Sequence, residues 1–395
     1  MSHPIKVILR SLTLLLSSAG LFLSSWIVIP PPTMPLLTLA VGAPEISPIL
    51  LVLNAIALLL SVANIRHQLQ RFSLIASILG LLICAVPLIN ISSTQRQMET
   101  AMQRGLGGNY LIKIPAEVRD RMRSRPFIMT DVFGGIRPGK TRHITDIRVA
   151  NTTLNMEIYQ PPRVGKYPAI VVIYGGAWRN GSPGLNADFN QYMAARGYTV
   201  FAIDYRHAPQ YRFPAQLDDV RSSLAFIRLH AAEYEADLEL MAILGRSSGA
   251  HLAMLAAYSA DAPPFRAVVD YYGPTNLTAG YNDPPHPDPI DSRAVLKAFL
   301  GGSPQDNPIL YQNASPVNSV RPNQPPTLLI YGSRDNVIPV RYGKELFSRL
   351  EKAGNTAIFL EIPWASHSFD SVFNGVSNQL ALYYTERFLA WALLR

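Results

Sequence analysis

Residues 241–252 read Met-Ala-Ile-Leu-Gly-Arg-Ser-Ser-Gly-Ala-His-Leu, and they give the strongest indication of the fold class. A short apolar run, typical of a buried strand, leads into Gly-x-Ser-x-Gly with Ser247 at its centre, and a helical pattern follows. The turn is so tight that side chains two before and two after the serine would clash, which explains both glycines. The serine hydroxyl is then held clear of the sheet beside a helix N-terminus, where backbone N–H groups carry partial positive charge. An ordinary glycine–serine turn is the alternative, because the pentapeptide also occurs by chance.

Short β-branched and aromatic runs alternate with helical stretches around this turn, from about residue 127 onward. Strands are predicted at residues 143–150, 153–159, 169–174, 199–204, 241–244, 267–271, 327–331 and 357–361. The first two form a predicted hairpin with its turn near Asn151. Helices are predicted at residues 188–195, 215–230, 248–258, 292–300, 342–353 and 371–394. Nearly continuous apolar strands between helices favour a mostly parallel sheet covered on both faces, with ligand sites at the carboxyl ends of its strands.

A second loop with small residues, Tyr-Gly-Gly-Ala-Trp at 174–178, directly follows a predicted strand. Small residues let a backbone come close to a substrate carbonyl. We expect N–H groups of this loop and of Ser248 to hold a developing oxyanion. Gly175 and Trp178 are expected to contact the substrate. A turn that merely needs glycine is the alternative.

An acid and a histidine follow two late strands. Asp335 ends the loop after the strand at 327–331, and His367 follows the strand at 357–361. In this arrangement His367 takes the Ser247 proton and returns it to a leaving group, while the acid fixes the imidazole tautomer and stabilises the imidazolium. Asp270, near the end of its own strand, is the rival acid. The other histidines with a candidate role are expected to make structural hydrogen bonds; they are His207, His230 and His251.

Five separated motifs between about residue 140 and residue 395 resemble the esterase/lipase branch of the α/β-hydrolase family. They are Tyr174–Trp178, Asp204–Pro209, Phe213–Val220, Gly245–Gly249 and Tyr331–Asp335. That branch includes hormone-sensitive-lipase-like and feruloyl-esterase-like enzymes, kynurenine formamidases and isoprenylcysteine methylesterases. The resemblance implies an α/β-hydrolase fold, a mostly parallel central sheet with helices on both faces.

The resemblance also implies specific roles for six residues. It implies Ser247 as the nucleophile, Asp335 as the acid and His367 as the base. It also implies that the backbone N–H groups of Gly176, Ala177 and Ser248 are the oxyanion donors. Two positions depart from the family pattern. Tyr174 stands where the family usually has histidine, and Ala177 stands where many members have glycine. A backbone donor needs no particular side chain, so the oxyanion site is expected to survive, whereas Tyr174 leaves the substrate class open.

The N-terminal region is apolar and almost uncharged, since only Glu45, Arg66 and Arg71 carry a full charge between residues 11 and 91. Three runs in it, at about residues 11–29, 48–64 and 72–91, each span roughly 25–30 Å as helices. None has a polar face, which favours three transmembrane helices over helices buried in a soluble core. A cleavable signal peptide is the alternative for the first run. The lone Asn54 is expected to make an interhelix hydrogen bond.

Flanking Lys and Arg residues indicate the orientation of these helices. Lys6 and Arg10 precede the first run, the 30–47 connection has neither residue type, and the 65–71 turn carries two arginines. This alternation predicts a cytoplasmic N-terminus and a catalytic domain on the extracytoplasmic side. The protein is therefore expected to be a multi-pass integral membrane protein.

The rest of the chain is predicted in two parts. Residues 92–126 form a basic juxtamembrane linker, expected to contact lipid headgroups rather than nucleic acid. Residues 127–395 form the catalytic domain, and its segment at 275–320, rich in Pro, Asp and Asn, forms a cap around one short helix. Tyr281 and Tyr311 of this cap are expected to line an apolar substrate site. A loosely packed loop without substrate contact is the alternative.

These features predict a membrane-anchored serine hydrolase that cleaves a small-molecule or lipid-like carboxylic ester without a metal or an organic cofactor. Cys84 is the only cysteine, so an intrachain disulfide and a cysteine-based zinc site are excluded. An amidase or formamidase with the same three residues is an alternative. A non-catalytic adhesion module on the same fold is another, although such proteins typically lose one of the three residues. The apolar runs lack the ionisable residues of a transport pathway.

Overall fold

The strands of the computed structural model, which describes residues 3–62, 67–149 and 153–395, form one sheet. They are β1 Arg142–Arg148, β2 Asn155–Gln160, β3 Tyr167–Ile173, β4 Thr199–Ile203, β5 Ala236–Arg246, β6 Ala267–Tyr271, β7 Thr327–Gly332 and β8 Ala357–Ile362. Their order across the sheet is β1-β2-β4-β3-β5-β6-β7-β8. β2 runs antiparallel to β1 and to β4, and the other neighbours are parallel. The mostly parallel sheet is thus as predicted, while the turn at Asn151 lies outside the described residues.

Of the α-helices in the described residues, six precede the first strand, and from β3 onward at least one lies between successive strands. The helices are α1 His3–Ser25, α2 Met34–Glu45, α3 Ser47–Val62, α4 Gln68–Leu106, α5 Ala116–Arg119, α6 Met129–Gly134, α7 Ala187–Ala195, α8 Ala215–His230, α9 Ser248–Tyr258, α10 Leu277–Asn282, α11 Ser292–Leu300, α12 Pro308–Asn313, α13 Val340–Lys352 and α14 Val376–Leu394. Every residue of α9 is buried, because this helix lies between the sheet, α8 and the segment near residue 316. The bounds of α8, α9 and α11 coincide with the predicted ones.

The 275–320 segment holds more helix than the sequence predicted. α10 and α12 flank α11, and a short 3₁₀ turn follows at Pro316–Ser319. Local capping explains the two helices whose N-caps are made by side chains: Asn276 accepts the N–H of Ala279, and Asp291 accepts the N–H of Ala294. Helices of six residues are too short to show a hydrophobic period, which is why the pattern missed α10 and α12.

α14 begins at Val376, later than the predicted residue 371. The carboxylate of Glu45, at the end of α2, accepts the N–H of Ser377 at 2.8 Å and so caps this helix from a distant part of the chain. A Cβ on Gly375 would lie 2.5 Å from that carboxylate, so the position before the helix must be glycine. The helix start is therefore fixed by a tertiary contact.

The described residues of the N-terminal region form four helices, of which α1, α3 and α4 pack against one another. Two of the described helices, Val7–Ser25 and Gln68–Leu106, are long and apolar enough to cross a membrane. A third span results if α2 and α3, which meet at 85°, are taken as one bent unit. The sequence predicted α3 but gave the α2 segment as a connection. Residues 63–66, which include part of the second run and Arg66, lie outside the described residues.

Asn54 on α3 joins the three long helices. Its Nδ2 donates to Ser24 Oγ of α1 at 3.0 Å and lies 3.9 Å from the Cys84 sulfur of α4. A Cβ on Gly20 or on Gly80 would lie within 2.5 Å of Asn54 Oδ1, so small residues let the helices approach here. The predicted interhelix hydrogen bond is confirmed, and it accounts for the polar residue in an apolar run.

α4 continues without a break into the predicted linker and reaches Leu106. Met98, Met102 and Leu106 are buried in the same core as the sheet. A Cβ on Gly105 would lie 2.6 Å from Ile358 of β8, so the helix lies directly against the edge of the sheet. The second half of α4 is therefore a packing element of the globular part, which differs from the linker expected at residue 92.

Candidate active site

Ser247 occupies the turn between β5 and α9 with a positive φ of 51°. A Cβ on Gly245 would lie 2.3 Å from Gly249 O. A Cβ on Gly249 would lie 2.3 Å from the carbonyl oxygens of Ile173 and Tyr174. The prediction that side chains at both glycine positions would clash is thus confirmed. The turn holds the serine at the carboxyl edge of the sheet.

Three side chains from separate loops form one hydrogen-bonded chain. His367 Nε2 lies 2.9 Å from Ser247 Oγ, and His367 Nδ1 lies 2.7 Å from Asp335 Oδ2. With Nδ1–H donating to the carboxylate, the neutral imidazole presents the Nε2 lone pair to the serine hydroxyl. The arrangement is able to take a proton from the serine oxygen and to stabilise the imidazolium that results.

Asp335 is held in place by backbone donors in addition to the imidazole. Its Oδ1 accepts the N–H groups of Val337 and Ile338, each at 2.7 Å. Its side chain is fully buried beside His367. Because three N–H donors favour the charged form of a carboxyl group, this position suits a carboxylate despite its burial.

Asp270, the rival acid, bonds elsewhere. Its Oδ2 lies 2.7 Å from the Tyr331 hydroxyl, its Oδ1 accepts the N–H of Gly273, and the same hydroxyl lies 2.6 Å from Gly273 O. A hydroxyl has one proton, so both Tyr331 contacts become hydrogen bonds when a protonated Asp270 donates to Tyr331 and Tyr331 donates to the carbonyl. Burial raises the pKa of Asp270 to about 7, which agrees with this neutral form.

The loop after β3 supplies candidate oxyanion donors. Among the described residues, the backbone N–H groups of Gly176, Ala177 and Ser248 find no intramolecular acceptor. Gly175 approaches the nucleophile turn so closely that a Cβ on it would lie 3.1 Å from Ser247 Cβ. The φ of Ala177 is 53°, so the chain reverses sharply beside Ser247. The loop therefore presents unpaired donors next to the serine, and Gly175 serves the close approach of the backbone.

Tyr174 occupies the position where the family usually has histidine, and its ring supports the loop. Its hydroxyl donates to Asp204 Oδ1 at 2.5 Å and lies 2.9 Å from His207 Nε2. The ring stacks on Tyr205 at 4.6 Å, and a Cβ on Gly181 would lie 2.3 Å from it. The tyrosine thus fixes the loop through its hydroxyl and its face, and His207 has the structural role predicted for it.

Trp178 and His251 connect the oxyanion loop to the 275–320 segment. Trp178 Nε1 donates to His251 Nδ1 at 3.2 Å, and His251 Nε2 donates to Ala314 O at 2.7 Å. The ring of Trp178 stacks on Phe299 of α11. Burial lowers the pKa of His251 to about 4, so this histidine stays neutral at ordinary pH. His251 thus makes the structural hydrogen bonds predicted for it.

A cavity of about 520 Å³ lies beside the hydroxyl of Ser247. Its lining combines loops of the globular part with α2; among the lining residues are Met34, Leu37, Gly175, Gly176, Ala177, Leu185, Tyr272, Ile290, Val337, His367 and Phe373. Trp178 lines a smaller cavity of about 50 Å³ that shares Ile290 and Val337 with the larger one.

The two cap tyrosines lie away from this cavity. The rings of Tyr281 and Tyr311 pack edge to face at 5.9 Å, and Tyr311 is fully buried, with its hydroxyl donating to Gly302 O. Their aromatic character therefore serves the packing of α10 against α12. Aromatic composition by itself did not distinguish a packing residue from one that lines a cavity.

A buried ion pair beside Ser247 was missed by sequence reasoning. Arg246 donates through Nε to Asp370, and the Tyr272 hydroxyl donates to the same carboxylate. All three residues line the cavity, and burial raises the pKa of Tyr272 well above its usual value. The arginine between Gly245 and Ser247 was the available signal, because a buried charge at that position needs a partner.

Comparison with known proteins places this site in context. Residues 156–350 match the BD-FAE family. The chain is 31% identical over 218 residues to "Esterase LipC" of Mycobacterium tuberculosis, an alignment that covers 51% of this chain and 53% of that protein. It is 30% identical over 254 residues to "Probable carboxylic ester hydrolase LipM" of the same organism, with 60% and 58% covered. The chain thus spans somewhat more than half the length of these curated relatives.

Solved structures resemble the same part of the chain. The truncated form of a carbohydrate esterase from gut microbiota aligns with a TM-score of 0.52 at 25% identity. That alignment covers 64% of this chain and 99% of the solved chain. The match to the BD-FAE family contains Ser247 and Asp335, whereas His367, Met34 and Leu37 lie outside it.

Proposed function

We propose that this chain, whose globular part resembles the α/β-hydrolases of the esterase/lipase branch, hydrolyses carboxylic esters through an acyl-enzyme on Ser247. One observation carries the proposal. The hydrogen-bonded chain from Ser247 through His367 to Asp335 lies beside unpaired backbone N–H groups at the wall of a cavity. The proposed catalytic domain is residues 127–395, with the 275–320 segment as its cap.

The first half of the reaction forms the acyl-enzyme. Ser247 Oγ attacks the ester carbonyl carbon while its proton passes to His367 Nε2. The carbonyl oxygen becomes an oxyanion, which the N–H groups of Gly176, Ala177 and Ser248 stabilise; one such donor is typically worth about 3–4 kcal/mol. The bond to the alcohol oxygen then breaks, and the alcohol leaves with the proton from His367.

The second half returns the enzyme to its starting state. A water molecule gives a proton to His367 and attacks the acyl carbon. The intermediate collapses, the carboxylic acid leaves, and Ser247 Oγ recovers its proton from His367. Throughout, Asp335 keeps the imidazole in one tautomer and stabilises its charged form. No atom outside the ester, water and these side chains enters the balance.

The test is the Ser247→Ala variant of the full-length protein in detergent. We expect p-nitrophenyl butyrate hydrolysis and fluorophosphonate labelling to be lost, because Ser247 carries the hydroxyl that His367 contacts. Ser222→Ala, at an exposed serine of α8, is the matched control and should keep both. Undiminished turnover by Ser247→Ala would rule out the proposed mechanism. An amide analogue assayed beside the ester decides between esterase and amidase, since faster amide turnover would favour the amidase.

We also propose that the N-terminal region crosses a membrane three times. Its helices expose apolar side chains outward, such as Leu15, Leu59 and Leu82, each more than 60% exposed. Gln70 near the start of α4 donates to Arg10 O of α1, which supports a common side for the start of both helices. Flanking basic residues then favour a cytoplasmic N-terminus and an extracytoplasmic catalytic domain. Arg96 and Arg104 on α4 are available for lipid headgroups.

Protease added to spheroplasts that express the full-length protein tests this orientation. We expect the hydrolase domain to be cleaved from outside, because an odd number of crossings separates it from a cytoplasmic N-terminus. A cytoplasmic marker protein should stay intact in the same sample. Full protection of the domain, with cleavage only after lysis, would reverse the proposed orientation.

A further inference from the structure

One part of the wall of the catalytic cavity is built by α2, which lies outside the segment that matches the BD-FAE family. Met34 and Leu37 of this helix line the cavity together with Ser247 and His367. Both residues precede the segment that matches the BD-FAE family by more than a hundred positions. Part of the cavity wall beside the reacting groups is therefore supplied by the apolar N-terminal region.

The α2 segment is fixed to the globular part at both ends. Before α2, the carbonyl oxygen of Val28 accepts a hydrogen bond from Arg334 Nη1 at 3.0 Å, and Arg334 directly precedes the acid Asp335. At the end of α2, the buried Glu45 carboxylate caps α14 through the N–H of Ser377. These two contacts hold Met34 and Leu37 at a defined place in the cavity wall.

The rim of the cavity on this side is apolar. Met34 lines the cavity and is still 54% exposed, and Leu185, another lining residue, is 59% exposed, so both lie where the cavity meets the surface. Ile29 nearby is also exposed, and no charged residue occurs between Arg10 and Glu45. The membrane-competent part of α1 ends at Ser25, a few residues before this rim. An apolar opening at the end of such a helix faces the boundary of a bilayer.

We infer that the substrate is an ester with a long apolar chain that enters from the bilayer, with the chain lying against Met34 and Leu37. This inference rests on the proposed esterase function. It assigns to α2 a role in specificity, because the reacting groups come from the hydrolase loops whereas the chain-binding wall comes from the membrane region. A charged side chain at the rim should therefore disfavour long chains selectively, since it would have to lose its hydration beside the chain.

Met34→Lys in the full-length protein tests whether the chain of the ester binds against α2. We measure kcat/KM for p-nitrophenyl decanoate and for p-nitrophenyl acetate, each divided by the amount of protein that a fluorophosphonate labels. The decanoate-to-acetate ratio should fall about tenfold or more, as expected for disturbing a hydrophobic subsite. Met129→Lys is the matched control, because Met129 is 44% exposed and does not line the cavity, and its ratio should stay within about twofold of wild type.

Two results would contradict the proposed binding of the chain by Met34. One is an unchanged decanoate-to-acetate ratio in Met34→Lys. The other is an equal fall in kcat/KM for both esters, which would mean that Met34 supports the reacting groups and not the chain. If the wild type shows neither labelling nor turnover, or if Ser247→Ala keeps both, the proposed esterase function is wrong. The experiment thus distinguishes a wrong function from a wrong role of α2 in substrate binding.

The route from the bilayer has its own test. The enzyme is reconstituted in phosphatidylcholine vesicles, and 4-methylumbelliferyl palmitate is placed either in the same vesicles or in separate enzyme-free vesicles. We expect several-fold faster initial hydrolysis when ester and enzyme share a bilayer. Equal rates from both preparations would indicate entry from water and overturn the bilayer route.

Discussion

Two buried acids stand at the carboxyl ends of neighbouring strands and have different surroundings. Asp335 follows β7, and its carboxylate accepts hydrogen bonds from two backbone N–H groups and from His367. Asp270 lies near the end of β6 and shares one hydroxyl, that of Tyr331, with the carbonyl of Gly273. The first site stabilises a negative charge, whereas the second is fully satisfied by a neutral acid.

The hydrogen-bond donors around a buried acid decide whether it can assist a histidine. A carboxylate stabilises an imidazolium only if it stays ionised itself, and donors that point at its oxygens keep it so. Asp270 has a single backbone donor, from Gly273, and burial raises its pKa to about 7. Position at the end of a strand is therefore insufficient, and the number of N–H donors separates the proposed catalytic acid from a structural one.

Asp335→Asn is expected to lose more activity than any other single change at the two acids. The amide cannot stabilise the imidazolium and favours the wrong tautomer, so kcat should fall roughly ten-thousandfold. The measurement is kcat for p-nitrophenyl butyrate with the full-length protein, and Asp270→Asn, which makes the same change at the other acid, should stay within a few fold of wild type. A large loss in Asp270→Asn with little loss in Asp335→Asn would reverse the proposed assignment.

The sequence predicts the serine turn and most of the sheet and helices around these acids. The glycines beside Ser247 follow from steric crowding, and the alternation of apolar strands with helices is enough to predict a parallel sheet with its loops at one edge. Helices such as Ser248–Tyr258 were predicted to the residue because length and apolar pattern agree there. Each of these signals is local in the chain.

The parts that escaped prediction depend on contacts between distant segments. The late start of α14 follows from Glu45, which is far away in the sequence. The cavity wall at Met34 and Leu37 depends on how the apolar region folds back, which no periodicity in a proline-rich connection reveals. The ion pair of Arg246 with Asp370 is likewise formed by tertiary structure.

The raised pKa of Asp270 also makes the stability of the protein depend on pH, which is a smaller effect. The pKa of Asp270 is about 7 in the folded protein and near 3.8 in an ordinary aspartate, so folding takes up a proton between these values. The stabilisation is complete below about pH 4 and is lost as the pH rises toward 7, by roughly 2–3 kcal/mol between pH 5 and 8.

Asp270→Asn tests this effect directly, because its amide can keep the contacts of the neutral acid. Its Oδ1 can accept the N–H of Gly273, and its Nδ2 can donate to the Tyr331 hydroxyl, so the fold needs no other change. Thermal unfolding of the full-length protein in detergent at pH 5 and pH 8 measures the result. The fall in Tm from pH 5 to pH 8 should be smaller in the variant than in the wild type.

Asp131→Asn, at a partly exposed ion pair with Arg123, is the control and should keep the wild-type difference in Tm between the two pH values. Parallel curves for wild type and Asp270→Asn would mean that Asp270 is already ionised at pH 5, and the contrast between the two acids would then lie only in which of them reaches His367.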